Sequence, residues 1–359
     1  MNNQGLKCLL LSRTILAVVA FLLTANLALA QNERPSTALL SSKGLALNSE
    51  TGKVYAVDTA RAAVSVFNPR TKTTSSISVG AAPAAIAVNS ATNRIYVANS
   101  EGGSVTVIDG SSDSVLATVS VGPRPYAIAA NPATNQVYVS NVFSNRLTII
   151  DGAADSTTTQ TAISADAMAV DSKLNKLYLL GYEDTNLFVL NKAPSAASKV
   201  PIGLHAWAMA LNEATGTLFV TKVGSAEVVI VDEASGTSTT IPTGAFPCAV
   251  AVNPQTNMAF VANYGDGTIT IIDASKRAVA TLNVGQHPRA IAVDPKTNYV
   301  YVADAHKDAV TVIDTGRDSV LKSLHVGKSP YALALNPKIR QLYVATMGEP
   351  VLVVIDVSP

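Results

Sequence analysis

Cysteine is almost absent from this chain of 359 residues, which has only Cys8 and Cys248. Cys8 lies in an amino-terminal segment that we expect to be removed, so Cys248 would be the only thiol of the mature chain. This excludes an intramolecular disulfide, and stability has to come from burial of apolar side chains. There is also no Cys-x-x-Cys-His motif for haem attachment and no Gly-x-Ser-x-Gly motif for a nucleophilic serine. The sequence therefore predicts no cofactor.

Charge is scarce as well, because Asp, Glu, Lys and Arg together make up 14% of the residues. The 26 basic residues include Lys7 and Arg13 of the amino-terminal segment, so 24 remain in the mature chain against 25 acidic ones. Binding to nucleic acid or to an anionic membrane surface needs a basic excess. We therefore expect no nucleic-acid partner.

Long apolar runs are missing, with one exception at residues 15–29. This run follows Lys7 and Arg13 and ends at Ala28-Leu29-Ala30, which is the pattern of a cleavable signal peptide rather than of a spanning helix. We expect cleavage after Ala30, a polar lead-in at residues 31–36, and a domain at residues 37–359 without a transmembrane segment. The protein is then secreted or periplasmic, with attachment to the cell surface as an alternative.

The rest of the chain is a repeat. Residues 253–285 contain three short runs rich in Val, Ile and Thr between turn-forming residues, which is typical of β-strands, and a fourth run precedes them. The residue that opens this unit recurs every 40 to 42 residues, at Asn48, Asn89, Asn131, Asp171, Asn212, Asn253, Asp294 and Asn336. Four strands in each period of this length predict an all-β fold, the β-propeller, with blades of four antiparallel strands a to d.

The number of strands decides the number of blades. Strands a, b and c each occur eight times, whereas strand d follows its own strand c only seven times. Residues 37–42 (TALLSS) are the candidate for the missing strand, which would complete the last blade, close the ring and remove a free sheet edge. We therefore predict eight blades closed by an amino-terminal strand. Seven blades is the alternative.

Three segments carry a family resemblance: Tyr96-Val97-Ala98-Asn99, Tyr138-Val139-Ser140-Asn141 and Phe260-Val261-Ala262-Asn263. They resemble the repeat of the YVTN β-propeller family, and recurring Val-Gly and Val-Ile-Asp segments extend the match over residues 37–357. The resemblance implies a secreted or surface-associated propeller, related in fold to lactonases, lyases and propeller domains of redox enzymes. It implies no particular catalytic residues.

Two recurring polar residues have a structural explanation. The Asp that ends strand c, as in Asp109 and Asp151, occurs once in a blade, so it cannot supply the converging oxygens of a calcium site. We interpret it as a turn cap, and the Asn-Pro-x-Thr-Asn anchor as a tight a–b turn. His205 and His287 occupy matching positions two blades apart. They are candidates for a metal or acid–base pair, but without a clustered carboxylate we predict no metal site.

The two ends of the propeller differ. The a–b and c–d turns of one end (the turn face) are uniform, whereas the d–a and b–c loops of the other (the variable face) differ between blades. The residue before the start of strand a, at the channel mouth, forms a mixed ring: Lys43, Ala84, Tyr126, Asp166, Trp207, Cys248, Arg289 and Tyr331. Aromatic side chains and Arg are enriched at binding hot spots. Adjoining b–c loops add Phe143, Tyr182, Tyr264 and His306, among others.

The sequence therefore predicts a monomeric binding or scaffolding propeller whose variable face takes a protein, peptide or glycan. Lys43, Tyr126, Asp166, Trp207, Arg289, Tyr331, His205 and His287 are the candidate ligand-binding residues. The alternative is an enzyme of the propeller lactonase or lyase type that works through His205, His287 or Asp166. Because no catalytic motif is present, we favour the binding protein.

Overall fold

The protein is described by a computed structural model over residues 44–141, 144–161, 165–191, 196–273, 275, 277–347 and 352–357. These residues belong to one compact unit, Leu40–Pro359. They form eight antiparallel sheets, seven with four strands and one with three. The prediction of an eight-bladed propeller is confirmed. Residues 37–42 and Lys43 lie outside the described residues, so closure by an amino-terminal strand stays a prediction.

Each blade uses consecutive strands. Blade 1 has β1 (Leu45–Leu47), β2 (Val54–Asp58), β3 (Ala63–Asn68) and β4 (Thr73–Ser78). Blade 2 has β5 (Pro83–Asn89), β6 (Arg94–Asn99), β7 (Ser104–Asp109) and β8 (Val115–Ser120). Blade 3 has β9 (Pro125–Asn131), β10 (Gln136–Asn141), β11 (Arg146–Asp151) and β12 (Ser156–Thr161). Blade 4 has β13 (Ala167–Asp171), β14 (Lys176–Leu180), β15 (Asn186–Asn191) and β16 (Ser198–Pro201).

The second half of the ring continues in the same order. Blade 5 has β17 (Ala206–Asn212), β18 (Thr217–Lys222), β19 (Glu227–Asp232) and β20 (Thr237–Pro242). Blade 6 has β21 (Pro247–Asn253), β22 (Met258–Asn263), β23 (Thr268–Ile272) and β24 (Ala278–Asn283). Blade 7 has β25 (Pro288–Asp294), β26 (Tyr299–Asp304), β27 (Ala309–Asp314) and β28 (Ser319–His325). Blade 8 has β29 (Pro330–Asn336), β30 (Gln341–Thr346) and β31 (Leu352–Asp356).

The inner strands hold the ring together. The first strand of each blade contacts the first strand of the next, and β29 contacts β1, so the ring is closed at its centre. The second strand of every blade carries one fully buried aromatic side chain, and these eight form a belt of core residues: Tyr55, Tyr96, Tyr138, Tyr178, Phe219, Phe260, Tyr301 and Tyr343. They pack in hydrophobic clusters that span neighbouring blades, as in the cluster that joins Tyr55 of blade 1 to Ile86 and Ile95 of blade 2.

The turn face explains the repeated Asn-Pro-x-Thr-Asn segment. Asn89, at the end of β5, accepts the backbone N–H of Ala91 through Oδ1 (3.1 Å). Its Nδ2 donates to Oδ1 of Asn135 in the next blade (2.8 Å). Asn135 itself is left-handed, with φ of 56°, a conformation that Asn tolerates. Equivalent bonds between asparagine side chains join Asn48 to Asn93, Asn131 to Asn175, Asn212 to Asn257, and Asn253 to Asn298.

The Asp that ends strand c caps a turn, as predicted. Oδ1 of Asp109 accepts the backbone N–H groups of Ser111 (3.0 Å) and Ser112 (2.7 Å). These bonds, together with one from the Ser112 hydroxyl, hold the pKa of the Asp109 carboxyl below its usual value. Asp151 and Asp314 cap their turns in the same way. The described residues contain no group of three or more side chains that could hold a metal ion.

Candidate functional site

The ring of predicted residues coincides with a break in the pairing of the inner strands. In β25, Pro288 pairs with Asp304 and Ala290 with Ala303, so Arg289 has no partner residue in β26. The same irregularity occurs at Ala84, Tyr126, Cys248 and Tyr331, and in β17 the break spans Trp207 and Ala208. These are β-bulges, which re-aim a side chain and are common beside active sites. Six of the eight ring positions are therefore bulge residues. The later residues of each inner strand pair regularly with the second strand of the blade.

The bulge residues differ in exposure. Tyr126 and Tyr331 are buried at 9% and 8% exposure, Tyr126 with Met168 packed against it and Tyr331 among apolar residues of blades 1 and 8. Burial, and then the carboxylate of Asp58, raises the pKa of Tyr331 to about 12. Trp207 and Arg289 are half-buried, so part of each side chain faces solvent.

A first aromatic cluster lies across blades 4 and 5 and comprises Tyr182, His205 and Trp207. The Tyr182 ring lies 5.1 Å from the His205 ring and 6.0 Å from Trp207, which it meets edge-on. Oδ2 of Asp166 accepts the backbone N–H of Tyr182 (2.8 Å), so this carboxylate fixes the loop that carries the tyrosine. Burial, and then the carboxylate of Glu183, raises the pKa of Tyr182 and keeps the phenol neutral.

A second cluster lies across blades 6 and 7 and comprises Tyr264, His287, Arg289 and His306. Tyr264 and His287 stack almost parallel, with ring centroids 4.5 Å apart and planes 11° apart. His306 meets His287 edge-on at 5.2 Å, and the Arg289 guanidinium lies 5.7 Å from the centroid of Tyr264. The structure thus brings His287 together with His306, whereas His205 contacts Tyr182 of the first cluster.

A fully buried carboxylate, Asp304, holds the second cluster in place. Its Oδ2 accepts the backbone N–H of Gln286 (2.6 Å), and its Oδ1 accepts those of His287, His306 and Lys307 at 3.3, 2.9 and 3.1 Å. Four charge-assisted hydrogen bonds therefore connect the d–a loop that leads from blade 6 into blade 7 with the b–c loop of blade 7. The carboxylate also occupies the space that a side chain at Gly285 would need.

Asp304 has amide counterparts in other blades. Asn99 and Asn263 stand at the same point of β6 and β22, and each donates to hydroxyl groups of the neighbouring strand c. A carboxylate can only accept, so in blade 7 the side chain turns to backbone N–H groups instead. Asp304 is not among the predicted site residues. The replacement of Asn by Asp at the end of an otherwise repeated Tyr-Val-Ala-Asn segment was the signal that pointed to it.

The variable face also holds strained backbone. Arg124, His205, Phe246 and Ser329 precede their inner strands with positive φ, at 51°, 63°, 51° and 48°. Side chains larger than Gly rarely adopt this region, and the turn face also holds it, at Asn135 and Lys72. Phe246 is 49% exposed and its ring lies beside Gly265, directly after Tyr264. It extends the second cluster towards solvent and was not among the predicted residues.

Cys248 is half-buried beside the second cluster, in an environment that disfavours its thiolate. Its Sγ donates to the carbonyl oxygen of Pro288 (3.2 Å). Burial raises the pKa of the thiol to about 12, although the positive charge of Arg289 opposes that shift. Since the thiolate is the nucleophile, this environment favours a structural role.

Comparisons with known proteins show that the chain shares its fold with solved structures, but they assign it to no family. No family model matches the chain, and no curated protein matches it. Solved structures that match include dihydro-heme d1 dehydrogenase NirN in complex with DHE, with TM-score 0.76, 15% identity, and coverage of 88% of this chain and 73% of that one. Hydrazine synthase of Kuenenia stuttgartiensis matches with TM-score 0.59, 17% identity, and coverage of 89% and 97%. The propeller domain of Cps50 (Swd1) from Myceliophteria thermophila matches with TM-score 0.60, 8% identity, and coverage of 79% and 98%.

At these identities the likeness concerns the fold alone, and it agrees with the eight blades described above. Within the described part of the chain, no helix has the length and apolar character needed to cross a membrane. The chain is similar in architecture to β-propeller proteins.

Proposed function

We propose that this protein is an extracytoplasmic binding propeller and that its ligand lies on the variable face, over blades 4 to 7. The observation that carries the proposal is the pairing of aromatic and imidazole rings there. Tyr182 contacts His205 and Trp207 across one joint between blades, and Tyr264 contacts His287 across another. Rings of this kind offer large contact area at low entropic cost.

Two further observations support this function. Trp207 and Arg289 are bulge residues, and both are only half-buried, so they present aromatic and cationic surface to a ligand. The solved structure of NirN, whose chain is similar in fold, is a complex with DHE, and this ligand-bound neighbour supports a binding role. The signal-peptide pattern of residues 1–30 supports an address outside the cytoplasm, and the ligand is then a molecule of that compartment.

The test begins with the mature protein purified from its native extracytoplasmic setting. Bound molecules are released and identified by mass spectrometry, and the recovered ligand is titrated back by calorimetry. Trp207→Ala should weaken binding by about 2 kcal/mol or more, roughly 30-fold, as expected for a hot spot. Gln255→Ala, an exposed change on the turn face, is the matched control and should bind like the unmodified protein. Unchanged binding by Trp207→Ala, with loss in Gln255→Ala, would place the ligand on the other face.

A lactonase- or lyase-like enzyme is the second candidate. The observation that favours it is the contact between His287 and His306, since two adjacent imidazoles can share acid–base work. Hydrolysis of a panel of lactones, with and without added divalent metal, tests it. Activity that His287→Ala abolishes would support the enzyme, whereas no turnover under any condition would oppose it.

A further inference from the structure

Three loops of the variable face are fixed to one another at the joint of blades 7 and 8. They are the b–c loop of blade 7, the d–a loop that leads from blade 7 into blade 8, and the b–c loop of blade 8. Oδ1 of Asp308 accepts the backbone N–H of Ser329 (2.7 Å), which joins the first loop to the second. The carbonyl oxygen of Lys328 accepts the backbone N–H of Met347 (3.0 Å), which joins the second to the third. The three loops therefore form one continuous surface.

Two lysines and one methionine are exposed on this surface. Lys307 and Lys328 are both exposed, and no ion pair within the described residues includes either of them. Met347 is 51% exposed. Four other lysines are paired with carboxylates instead: Lys53, Lys173, Lys176 and Lys222.

The carboxylates of the same loops serve the backbone. Asp304 is fully buried, and its Oδ1 accepts the backbone N–H groups of His306 (2.9 Å) and Lys307 (3.1 Å). Asp308 accepts that of Ser329, as described above. Within the described residues of these loops, the fully exposed charged side chains are therefore lysines only. They complement carboxylates, and the adaptable Met side chain complements an apolar group.

We propose that Lys307, Lys328 and Met347 (the blade 7–8 patch) dock an acidic peptide segment of a partner protein. Its carboxylates would meet the two ammonium groups, and an apolar side chain would pack on Met347. The apolar contact favours a peptide over an anionic polysaccharide, and the mature chain lacks the basic excess that binding to an anionic membrane needs. Because hydrogen bonds already hold the loops in place, little ordering opposes binding. This inference goes beyond the proposed function, since the patch contains neither Trp207 nor Arg289.

The experiment uses the mature protein and short synthetic peptides in which the numbers of Glu and Leu vary independently in a background of Ser and Gly. Fluorescence anisotropy of the labelled peptides measures binding. Peptides that contain both Glu and Leu should bind best. Exchange of every Glu for Gln should weaken binding roughly tenfold, since two exposed charge pairs of ordinary strength contribute about one order of magnitude. Exchange of Leu for Ser should weaken it as well.

Variants of the patch give the matched comparison. Lys307→Gln combined with Lys328→Gln should lose roughly the same factor of ten and should no longer distinguish Glu peptides from Gln peptides. Met347→Ser should weaken only the peptides that contain Leu. The charge-matched control is Lys72→Gln combined with Lys296→Gln, two exposed lysines of the turn face, which should bind like the unmodified protein.

Asp308→Asn tests the charge in the opposite direction. An amide oxygen still accepts the N–H of Ser329, but a negative charge beside Lys307 is removed. The Glu peptides should therefore bind more tightly, whereas the Gln peptides should bind as before. A change that is equal for both kinds of peptide would show that charge at this position does not matter.

The outcomes separate the inference from the proposed function. Equal binding of Glu and Gln peptides, or binding that the double lysine variant leaves unchanged, overturns the inference. Failure of all peptides to bind also overturns it, and binding of polygalacturonate or of phosphatidylglycerol vesicles in their place would assign the patch to a polysaccharide or a membrane. None of these results bears on the ligand over blades 4 to 7, which Trp207→Ala tests independently.

Discussion

The turn face and the variable face are built from the same eight repeats, yet they follow opposite rules. On the turn face, Asn89 and Asn135 make the same contact as four other asparagine pairs. On the variable face, the positions that start the inner strands hold Ala84, Trp207 and Arg289 at equivalent bulges. Repetition marks the residues that hold blades together, and divergence marks those that are available for recognition.

Substitution of a residue of the buried aromatic belt gives the most severe test of this difference between residues that hold blades together and residues available for recognition. Tyr96→Ala removes a fully buried ring and should lower the free energy of unfolding by about 3–5 kcal/mol, since the cavity cannot close. Trp207→Ala removes a larger ring from the variable face and should cost less than about 1 kcal/mol. Urea denaturation of both variants measures the difference. Equal losses would show that Trp207 belongs to the core.

Closure of the ring gives the next largest effect. Deletion of residues 31–42 from the mature protein should destabilise it by about 2–4 kcal/mol, because a paired outer strand contributes several backbone hydrogen bonds at roughly 1 kcal/mol each. The uncovered edge of β31 should also promote aggregation. Thermal unfolding and light scattering measure the two effects. A truncated protein with the melting temperature and solubility of the full mature chain would exclude this closure.

The bonds between asparagines can be isolated by a matched pair. Asn89→Ala loses both its turn bond and its bond to Asn135, whereas Asn336→Ala loses a turn bond at a joint where the facing residue is Gly52. Asn89→Ala should therefore be the more destabilising by about 1–2 kcal/mol. This figure includes the cost of leaving the Oδ1 of Asn135 without its donor. Chemical denaturation compares them, and identical losses would mean that the bond between blades contributes nothing.

The smallest effect concerns Cys248. Because burial raises the pKa of the half-buried Cys248 thiol to about 12, little of it is ionised at pH 8. Reactivity should rise with pH and stay low at neutrality, so alkylation by iodoacetamide at pH 8 should be at least 100-fold slower in the folded protein than in urea. Mass spectrometry follows the rate. Equal rates would show an accessible thiolate and make Cys248 part of the binding surface.

Much of the fold was predictable, because the period and the turn residues repeat in the sequence. The eight blades, the caps at Asp109 and its equivalents, and the left-handed asparagines such as Asn93 follow from local patterns. The bonds between blades were not predictable in this way. Asn48 and Asn93 are 45 residues apart, and a sequence shows both side chains without showing that they meet.

The positions of the candidate site residues could be predicted from the sequence. Which of these side chains are buried and which face solvent could not. The inner strands begin two residues before the predicted start of strand a, at Pro125 and Pro330 in blades 3 and 8. Tyr126 and Tyr331 therefore lie inside strands, and both are buried, while Trp207 at an equivalent bulge stays half-exposed. Neighbouring blades decide that difference, and their packing is not encoded by spacing along the chain.

The asparagine bonds have a consequence for how the ring moves. They join blades 1 to 4 and blades 5 to 7, whereas the accepting position at the other three joints holds Gly216, Arg340 or Gly52. A repeat protein opens where its nearest-neighbour coupling is weakest. The 4–5 joint carries the ion pair of Lys176 with Glu233 (2.6 Å) instead, and hydrophobic clusters pack the joints on both sides of blade 8. We expect amide hydrogen exchange to begin in blade 8, because both of its joints lack the asparagine bond. Since Tyr182 and Trp207 contact each other across the 4–5 joint, a ligand bound over both side chains would add a further contact across that joint and slow exchange in blades 4 and 5.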